Sequence, residues 1–248
     1  MVFVSESADG STQLPDFRKG CADEAPTVRG TDVAWVGGMT PIPALLLAAA
    51  LAVLYWVLIR RLFFRWGASN GDLRRVMRGD EFIAAPTYLA TLAVTIDAAP
   101  ELVWPWLVQM GFRRGGLYSY DWLDRLFGYL DRPSADRILP EFQRLVVGDQ
   151  IPIGRGGGFP VTAIEPGREL VMSGSGDGFQ WVWEFGLFPI DGARTRLVSR
   201  NLVRTPRTIG SWLFMRALEP AAFLMTRRML LGLKRRAETV SMTLNKAA

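Results

Sequence analysis

The eighteen residues from Ile42 to Ile59, IPALLLAAALAVLYWVLI, carry no charge, and Arg60-Arg61 follow at once. As a helix this run rises about 27 Å at ~1.5 Å per residue. That approaches the ~30 Å hydrocarbon core of a bilayer, and the uncharged stretch Gly37–Pro41 supplies the missing length. A helix buried in a soluble core normally keeps one polar stripe, and this run has none. A cleaved signal peptide sits at the extreme N-terminus behind a basic region and ends at small residues. Here about forty residues precede the run, and arginines end it. Residues 37–61 are therefore expected to form a single transmembrane helix, with the rest of the chain on one side of it or the other.

Flanking Lys and Arg set the orientation of such a helix. Arg18, Lys19 and Arg29 precede it, whereas Arg60, Arg61, Arg65, Arg74, Arg75 and Arg78 follow within a short distance. This imbalance predicts a single-pass protein of the cell membrane, with the N-terminus outside and the C-terminal domain in the cytoplasm.

Charge is distributed unevenly along the chain. Residues 1–36 carry six acids and three bases, residues 37–199 sixteen of each, and residues 200–248 ten bases and two acids. The basic C-terminal end, with Arg227, Arg228, Lys234, Arg235 and Arg236 on one helical stretch, is a candidate patch for anionic headgroups. No nucleic-acid reading motif accompanies it, so no nucleic-acid partner is expected. The chain has no histidine and one cysteine, Cys21. This composition excludes an intramolecular disulfide, Ser-His-Asp and Cys-His nucleophiles, and the HExxH zinc site. No carboxylate cluster replaces them, so neither a metal nor a cofactor is expected.

Along the chain, residues 1–36 are polar and without period, as in a disordered tail. Residues 62–87 read as a juxtamembrane linker containing one short helix, started by the Ser-x-x-Asp spacing of Ser69–Asp72. YLATLAVTI (Tyr88–Ile96) alternates as a strand. Pro100 then opens a helix through Gln109, with Pro105 inside it, and YDWLDRLF (Tyr120–Phe127) reads as a second short helix. Strand signals follow at Asp149–Ile153, Phe159–Glu165, Glu169–Ser175, Gly178–Pro189 and Thr195–Thr205, separated by Gly-rich turns. In the fourth, Phe179, Trp181, Trp183, Phe185 and Leu187 share one face. Glu184 lies on the other, where solvent is expected. Thr208–Val240 reads as a long helix whose apolar stripe holds Phe214, Met215, Leu218, Ala222, Met225, Met229 and Leu233. Glu219-Pro220 is expected to break or kink it, and residues 241–248 are expected to be a tail.

Several motifs add to this order of elements. RWGASNGDL (Arg65–Leu73), IDAAPELVWPWLVQMG (Ile96–Gly111) with GLYSYDWLD (Gly116–Asp124), ADRILPEFQRLVVGD (Ala135–Asp149), VTAIEPGREL (Val161–Leu170) and EPAAFLMTRRMLLGLKRRAE (Glu219–Glu238) resemble bacterial proteins of the SRPBCC superfamily. That group includes the START and Bet v 1-like domains and the polyketide cyclases. The resemblance implies an α+β helix-grip domain over residues 88–240: a seven-stranded antiparallel sheet wrapped on a long C-terminal helix, with a cavity between them. It also implies that the glycine run Gly154–Gly158 is a turn near the cavity entrance. The GxGxxG and Walker spacings of a phosphate loop are absent from that run.

The same picture follows from the residues. A sheet face and a helix stripe rich in aromatics and Met would enclose a space suited to apolar ligands. The candidate lining is Trp181, Trp183, Phe185, Phe214, Met215, Leu218 and Met225, with Tyr118 and Tyr120 offering hydroxyls at the mouth. The expected function is a membrane-tethered binding or carrier domain for an apolar small molecule or lipid, without catalysis. The alternatives are a polyketide cyclase/dehydrase-like enzyme using Tyr and carboxylate groups, and a purely structural role in which the basic helix docks to a partner protein.

Overall fold

A computed structural model of the chain describes residues 41–247. The tail expected at 1–36, Cys21 and residues 37–40 lie outside the described residues. Two units are distinguished: Met1–Leu45, of which the first helical residues are described, and Leu46–Ala248, which holds everything below. The charge-free run forms most of a 25-residue helix, α1, Pro41–Arg65. It runs four residues past the Arg61 end expected from sequence, with one widened turn at Tyr55–Ile59. Every residue from Pro41 to Leu54 is exposed. By length and composition α1 is able to cross a membrane.

Ser69 and Asp72 form the capping box that their spacing predicts, with Ser69 N–H donating to Asp72 Oδ2 at 2.8 Å and Asp72 N–H to Ser69 Oγ at 3.2 Å. They start the short helix α2, Asn70–Arg74. Strand β1, Tyr88–Ile96, is followed by α3, Pro100–Val108, and α4, Asp121–Leu126. Five further strands follow: β2 Gln150–Gly154, β3 Gly157–Glu165, β4 Glu169–Gly176, β5 Phe179–Asp191 and β6 Arg194–Arg204. All pairings are antiparallel, in the order β1-β6-β5-β4-β3-β2. The resemblance implied seven strands; six are present among the described residues. The last helix, α5, Ile209–Ala247, lies against this sheet, and together they make the helix-grip architecture.

Two features of α5 differ from expectation. It is one 39-residue helix that passes through Pro220 and continues beyond Val240, where a tail was expected. Proline removes one rung of the hydrogen-bond ladder, yet the helix runs on through position 220. The buried stripe is also rotated. Met215, Phe223, Met229, Leu230, Leu233 and Ala237 are buried, while Phe214 is 61% exposed. Periodicity gives a stripe's width only; the partner decides which edge is covered. One contact fixing the helix is steric: a Cβ on Gly232 would stand 2.3 Å from the Tyr118 carbonyl oxygen.

The register sorts the sheet into two faces. Trp181, Trp183, Phe185 and Leu187 of β5 stand opposite Val203, Asn201, Ser199 and Leu197 of β6. Those in turn face Tyr88, Ala90, Leu92 and Val94 of β1. This face meets α5. The other face carries Glu184, Arg200 and Thr91 in one row and is not left to solvent, contrary to the expectation for Glu184. The segment after α1 folds back over it, burying Met77 and Ile83 against Val198, Val182 and Leu202. Arg200 donates to Thr91 Oγ1, the Arg75 and Asp72 carbonyls and Asp80; Arg196 pairs with Asp72 at 2.7 Å. Burial works against the Asp72 carboxylate, but hydrogen bonds from Arg196 and Ser69 outweigh it and leave its pKa below the ordinary value.

Glu184 is 1% exposed; its Oε2 accepts the Gly79 N–H at 2.7 Å, and its Oε1 has no partner. Burial pushes its pKa up to about 7, with Asp80 and Glu169 adding to the effect and Arg200 and the Gly79 bond opposing it. An acid whose folded pKa lies above its unfolded value holds a proton that the unfolded chain has already released. It therefore supports the fold at low pH and loses that contribution as pH rises from about 4.5 through about 7. At ~1.4 kcal/mol per unit the loss is about 3 kcal/mol at most. Denaturant midpoints at roughly pH 5 and pH 7.5 should show this decline, with Glu184→Gln flattening it; an equal slope in the variant would assign the effect to another group.

Candidate functional site

Between the inner sheet face and the first half of α5 lies a cavity of about 230 Å³. The sheet contributes Tyr88, Ala90 and Leu92 from β1, Phe179, Trp181 and Trp183 from β5, and Asn201 and Val203 from β6. α5 contributes Met215, Leu218, Ala221, Ala222, Phe223, Met225, Thr226 and Met229. Leu117, Ser119, Phe127, Tyr129 and Ile153 close one end, and Phe63 comes from α1. None of these residues is charged.

The aromatic wall is ordered by contacts among its own members. Trp181 and Trp183 stack with centroids 6.4 Å apart, and Phe159 meets Trp181 edge-on at 4.9 Å. Gly174 pairs with Trp181 across the β4–β5 ladder, and a Cβ there would meet the Phe159 ring at 3.1 Å. The indole N–H groups are satisfied within the protein: Trp183 Nε1 donates to Ser199 Oγ at 3.1 Å, and Trp181 Nε1 to Asn201 Oδ1 at 2.9 Å. These bonds hold both rings flat along the sheet. They also occupy Asn201 Oδ1, while the Asn201 nitrogen finds no partner among the described residues; Asn201 lines the cavity.

Four hydroxyl-bearing residues, Tyr88, Ser119, Tyr129 and Thr226, also line it. Ser119 Oγ donates to Asp124 Oδ2 at 2.6 Å, and burial pushes the Asp124 carboxyl above the usual carboxylate range, against the Ser119 bond. Burial, with the Glu219 carboxylate adding to it, pushes the Tyr88 hydroxyl up, so it stays protonated and able to donate at ordinary pH.

Of the nine candidate lining residues, the structure brings five to the cavity: Trp181, Trp183, Met215, Leu218 and Met225. Phe185 shares their sheet face but is fully buried in the packed core beneath the cavity. Phe214 points outward, since the stripe is rotated as described. Tyr118 is 2% exposed and serves packing. Its hydroxyl accepts from Gln109 Nε2 at 3.0 Å, its ring lies under the Arg236 guanidinium, and its backbone has φ 57°. Burial pushes its pKa up to about 12, against the Gln109 bond, Arg236 and Arg114. Tyr120 lies half-buried under Arg228 and outside the lining.

Sequence reasoning missed Asn201, Tyr88 and Phe63. The alternation of β1 and β6 carried the signal for the first two. Nothing in the sequence ties Phe63, at the end of the apolar helix, to a sheet-and-helix cavity. In the structure its ring stacks on Phe223 at 4.7 Å.

The bases of the C-terminal patch also meet other parts of the domain. Arg227 lies over Trp66 and Arg228 over Tyr120. Lys234 donates to the Thr95 carbonyl and pairs with Glu238, and Arg236 donates to the Ala135 carbonyl. Arg235 alone of the five is exposed without such a partner among the described residues. Helical spacing placed these bases on one stretch but could not show that loops and strand ends reach back to take four of them.

No protein-family profile matches the chain, and no curated protein does. Solved structures do. DynU16, a putative protein of the dynemicin biosynthetic locus, is 19% identical with a TM-score of 0.38; the match covers 60% of this chain and 48% of DynU16, so it spans about half of that protein. The Aha1 dimer from Colwellia psychrerythraea is 20% identical with a TM-score of 0.37, over 61% of this chain and 97% of that one. The Zhui aromatase/cyclase from Streptomyces sp. R1128 is 15% identical with a TM-score of 0.33, over 61% and 93%.

Proposed function

We propose that this chain is a binding or carrier domain for an apolar small molecule or single-chain lipid, held at a membrane surface by α1. The observation that carries the reading is the cavity wall: aromatic, Met and aliphatic side chains for the most part, no charged one, and an Asn201 amide and Tyr88 hydroxyl able to orient one polar group of a ligand. Small-molecule sites are largely apolar with a few placed polar groups. At about 230 Å³ the space lies somewhat below the usual lower bound of ~300 Å³. It suits one acyl chain or a small fused-ring molecule, and three unbranched methionines allow it to adapt. Acid–base turnover is less well served, because no carboxylate, ammonium or guanidinium stands in the lining. The lateral restriction supplied by a tether would keep the domain where apolar ligands concentrate. In this reading residues 37–61 anchor the chain and the helix-grip domain is cytoplasmic.

The test uses the full chain in lipid nanodiscs. Native mass spectrometry should release a defined apolar mass, and 11-(dansylamino)undecanoic acid should accept energy from the Trp181–Trp183 wall. Ala222→Phe places a ring in the cavity from α5 and should weaken that probe at least tenfold, whereas Ala217→Phe, on the exposed side of the same helix, should leave it unchanged. A wild-type protein that is empty and does not take the probe would sink the reading.

A further inference from the structure

The first half of α5 has a second face that neither the cavity nor the core uses. Ile209 is 79% exposed, Trp212 50%, Leu213 55%, Phe214 61% and Leu224 47%. Between Thr208 and Arg227 the helix carries two charges, Arg216 and Glu219. They pair with each other, Glu219 is 1% exposed, and the Arg216 guanidinium lies over the Trp212 ring at the edge of that face. A helix that is apolar on all sides belongs in a protein core or in lipid. This one has core on one side only.

Contacts with α1 indicate what covers the other side. Glu219 accepts from Tyr55 at 3.2 Å and from Arg60 at 3.3 Å, while Arg60 and Arg216 both lie over the Trp56 ring. Tyr55 and Trp56 belong to the charge-free run, and Arg60 is the first charge after it. The Glu219 turn of α5 is therefore fixed at the level where that run ends. Arg60, Arg61 and Arg65 follow the apolar run along the chain and Arg204 and Arg207 precede α5, bases of the kind that suit anionic headgroups. Leu218, next to Phe214 on the helix surface, also lines the cavity.

We infer that the Ile209–Leu224 face of α5 lies in the headgroup–acyl boundary of the leaflet in which α1 ends, so that the cavity rim at Leu218 meets the lipid phase and its ligand passes directly between bilayer and cavity. The inference rests on the reading of α1 as a membrane anchor. An interfacial helix buries its apolar side some 5–10 Å deep, which is a depth that lipid-borne quenchers report.

The full chain with Cys21→Ser, carrying one NBD-labelled cysteine, is reconstituted in vesicles of phosphatidylcholine and phosphatidylglycerol. Labels are placed at Leu213→Cys, at Leu47→Cys within the apolar run, and at Thr239→Cys on the exposed distal half of α5. The Leu213 label should be quenched by doxyl lipid and shielded from iodide, and the Thr239 label should behave oppositely. A Leu213 label open to iodide and untouched by doxyl lipid overturns the inference. A label shielded from both also overturns it, since the cover would then be protein, such as a second copy of the chain. The Leu47 label judges the anchor separately. If it stays out of the lipid, the tether reading fails and the leaflet assignment fails with it, while quenching of the Leu213 label on the same vesicles would show α5 docked on lipid without the anchor.

Discussion

Glu219→Ala should lower the apparent melting temperature of the full chain in micelles by roughly 6–12 °C. Glu219 has a fully buried side chain and is the anion between Arg60 and Arg216, whose side chains are 23% and 20% exposed. Removing one member of a buried ion pair costs ~3–5 kcal/mol, because the remaining charge stays behind without a partner. Both guanidiniums keep some solvent and the Trp56 face, which places the effect near the lower end, about 3 kcal/mol. For a domain of this size ~1 kcal/mol corresponds to 2–4 °C. Near-UV circular dichroism is a suitable readout, since Trp56 and Trp212 border the cluster. A triple replacement, Arg60→Met, Arg216→Met and Glu219→Leu, should recover most of the loss, because an apolar set of similar volume escapes the desolvation penalty. An unchanged melting temperature in Glu219→Ala would mean that the α1–α5 junction contributes nothing to the fold.

Arg200→Met should act on the opposite face of the sheet and chiefly by local opening. The Arg200 side chain is 4% exposed and makes four bonds: one to Thr91 of β1, and three that hold the α2 segment, to the carbonyls of Asp72 and Arg75 and to Asp80 at 2.6 Å. Methionine matches the stem but leaves both carbonyls unpaired under a protein cover, at ~1–3 kcal/mol each. Partial rescue by water at Asp80, which is about a third exposed, holds the sum near 3 kcal/mol. Because ~1.4 kcal/mol is a factor of ten, tryptic cleavage at the exposed Arg74, Arg75 and Arg78 should accelerate about a hundredfold, provided that closing outpaces cutting. Arg200→Lys should fall between the two, since an ammonium keeps the charge without the planar fork. Cleavage at the wild-type rate would show that the cover is held by Met77 and Ile83 packing alone.

The residues legible in advance were those whose environment is set by near neighbours in sequence. β1 was placed at its observed bounds, Tyr88–Ile96, because a short β-branched and apolar run that alternates in part, closed by Asp97 and Pro100, reads as a strand. The Ser69–Asp72 capping box and the helix start at Pro100 are also local, each closed within a single turn. On the inner face of β5 the period of two put Trp181 and Trp183 together, and they do line the cavity. Glu184 shows where this reasoning stops. Alternation correctly put it on the other face, but whether a face is wet depends on a layer that arrives from elsewhere in the chain. Here that layer is the segment read as a linker.

α5 shows the same division at larger scale. Its length and apolar character follow from composition and a period of 3.6. The covered edge of its stripe, and hence the fates of Phe214 and Phe223, depend on the sheet's position relative to the helix. The continuity through Pro220 is seen only in the structure. The sequence by itself determined that the chain carries a membrane-length apolar helix, a run of short strands of which one has an aromatic face, and a long final helix, because each is a pattern within one segment. Only the tertiary structure decided that Glu219 joins the two long helices, that Phe63 becomes a wall of the cavity, and that four of five C-terminal bases contact loops or strand ends. Those are meetings of residues far apart in the chain, and a pattern confined to one segment carries no information about its partner.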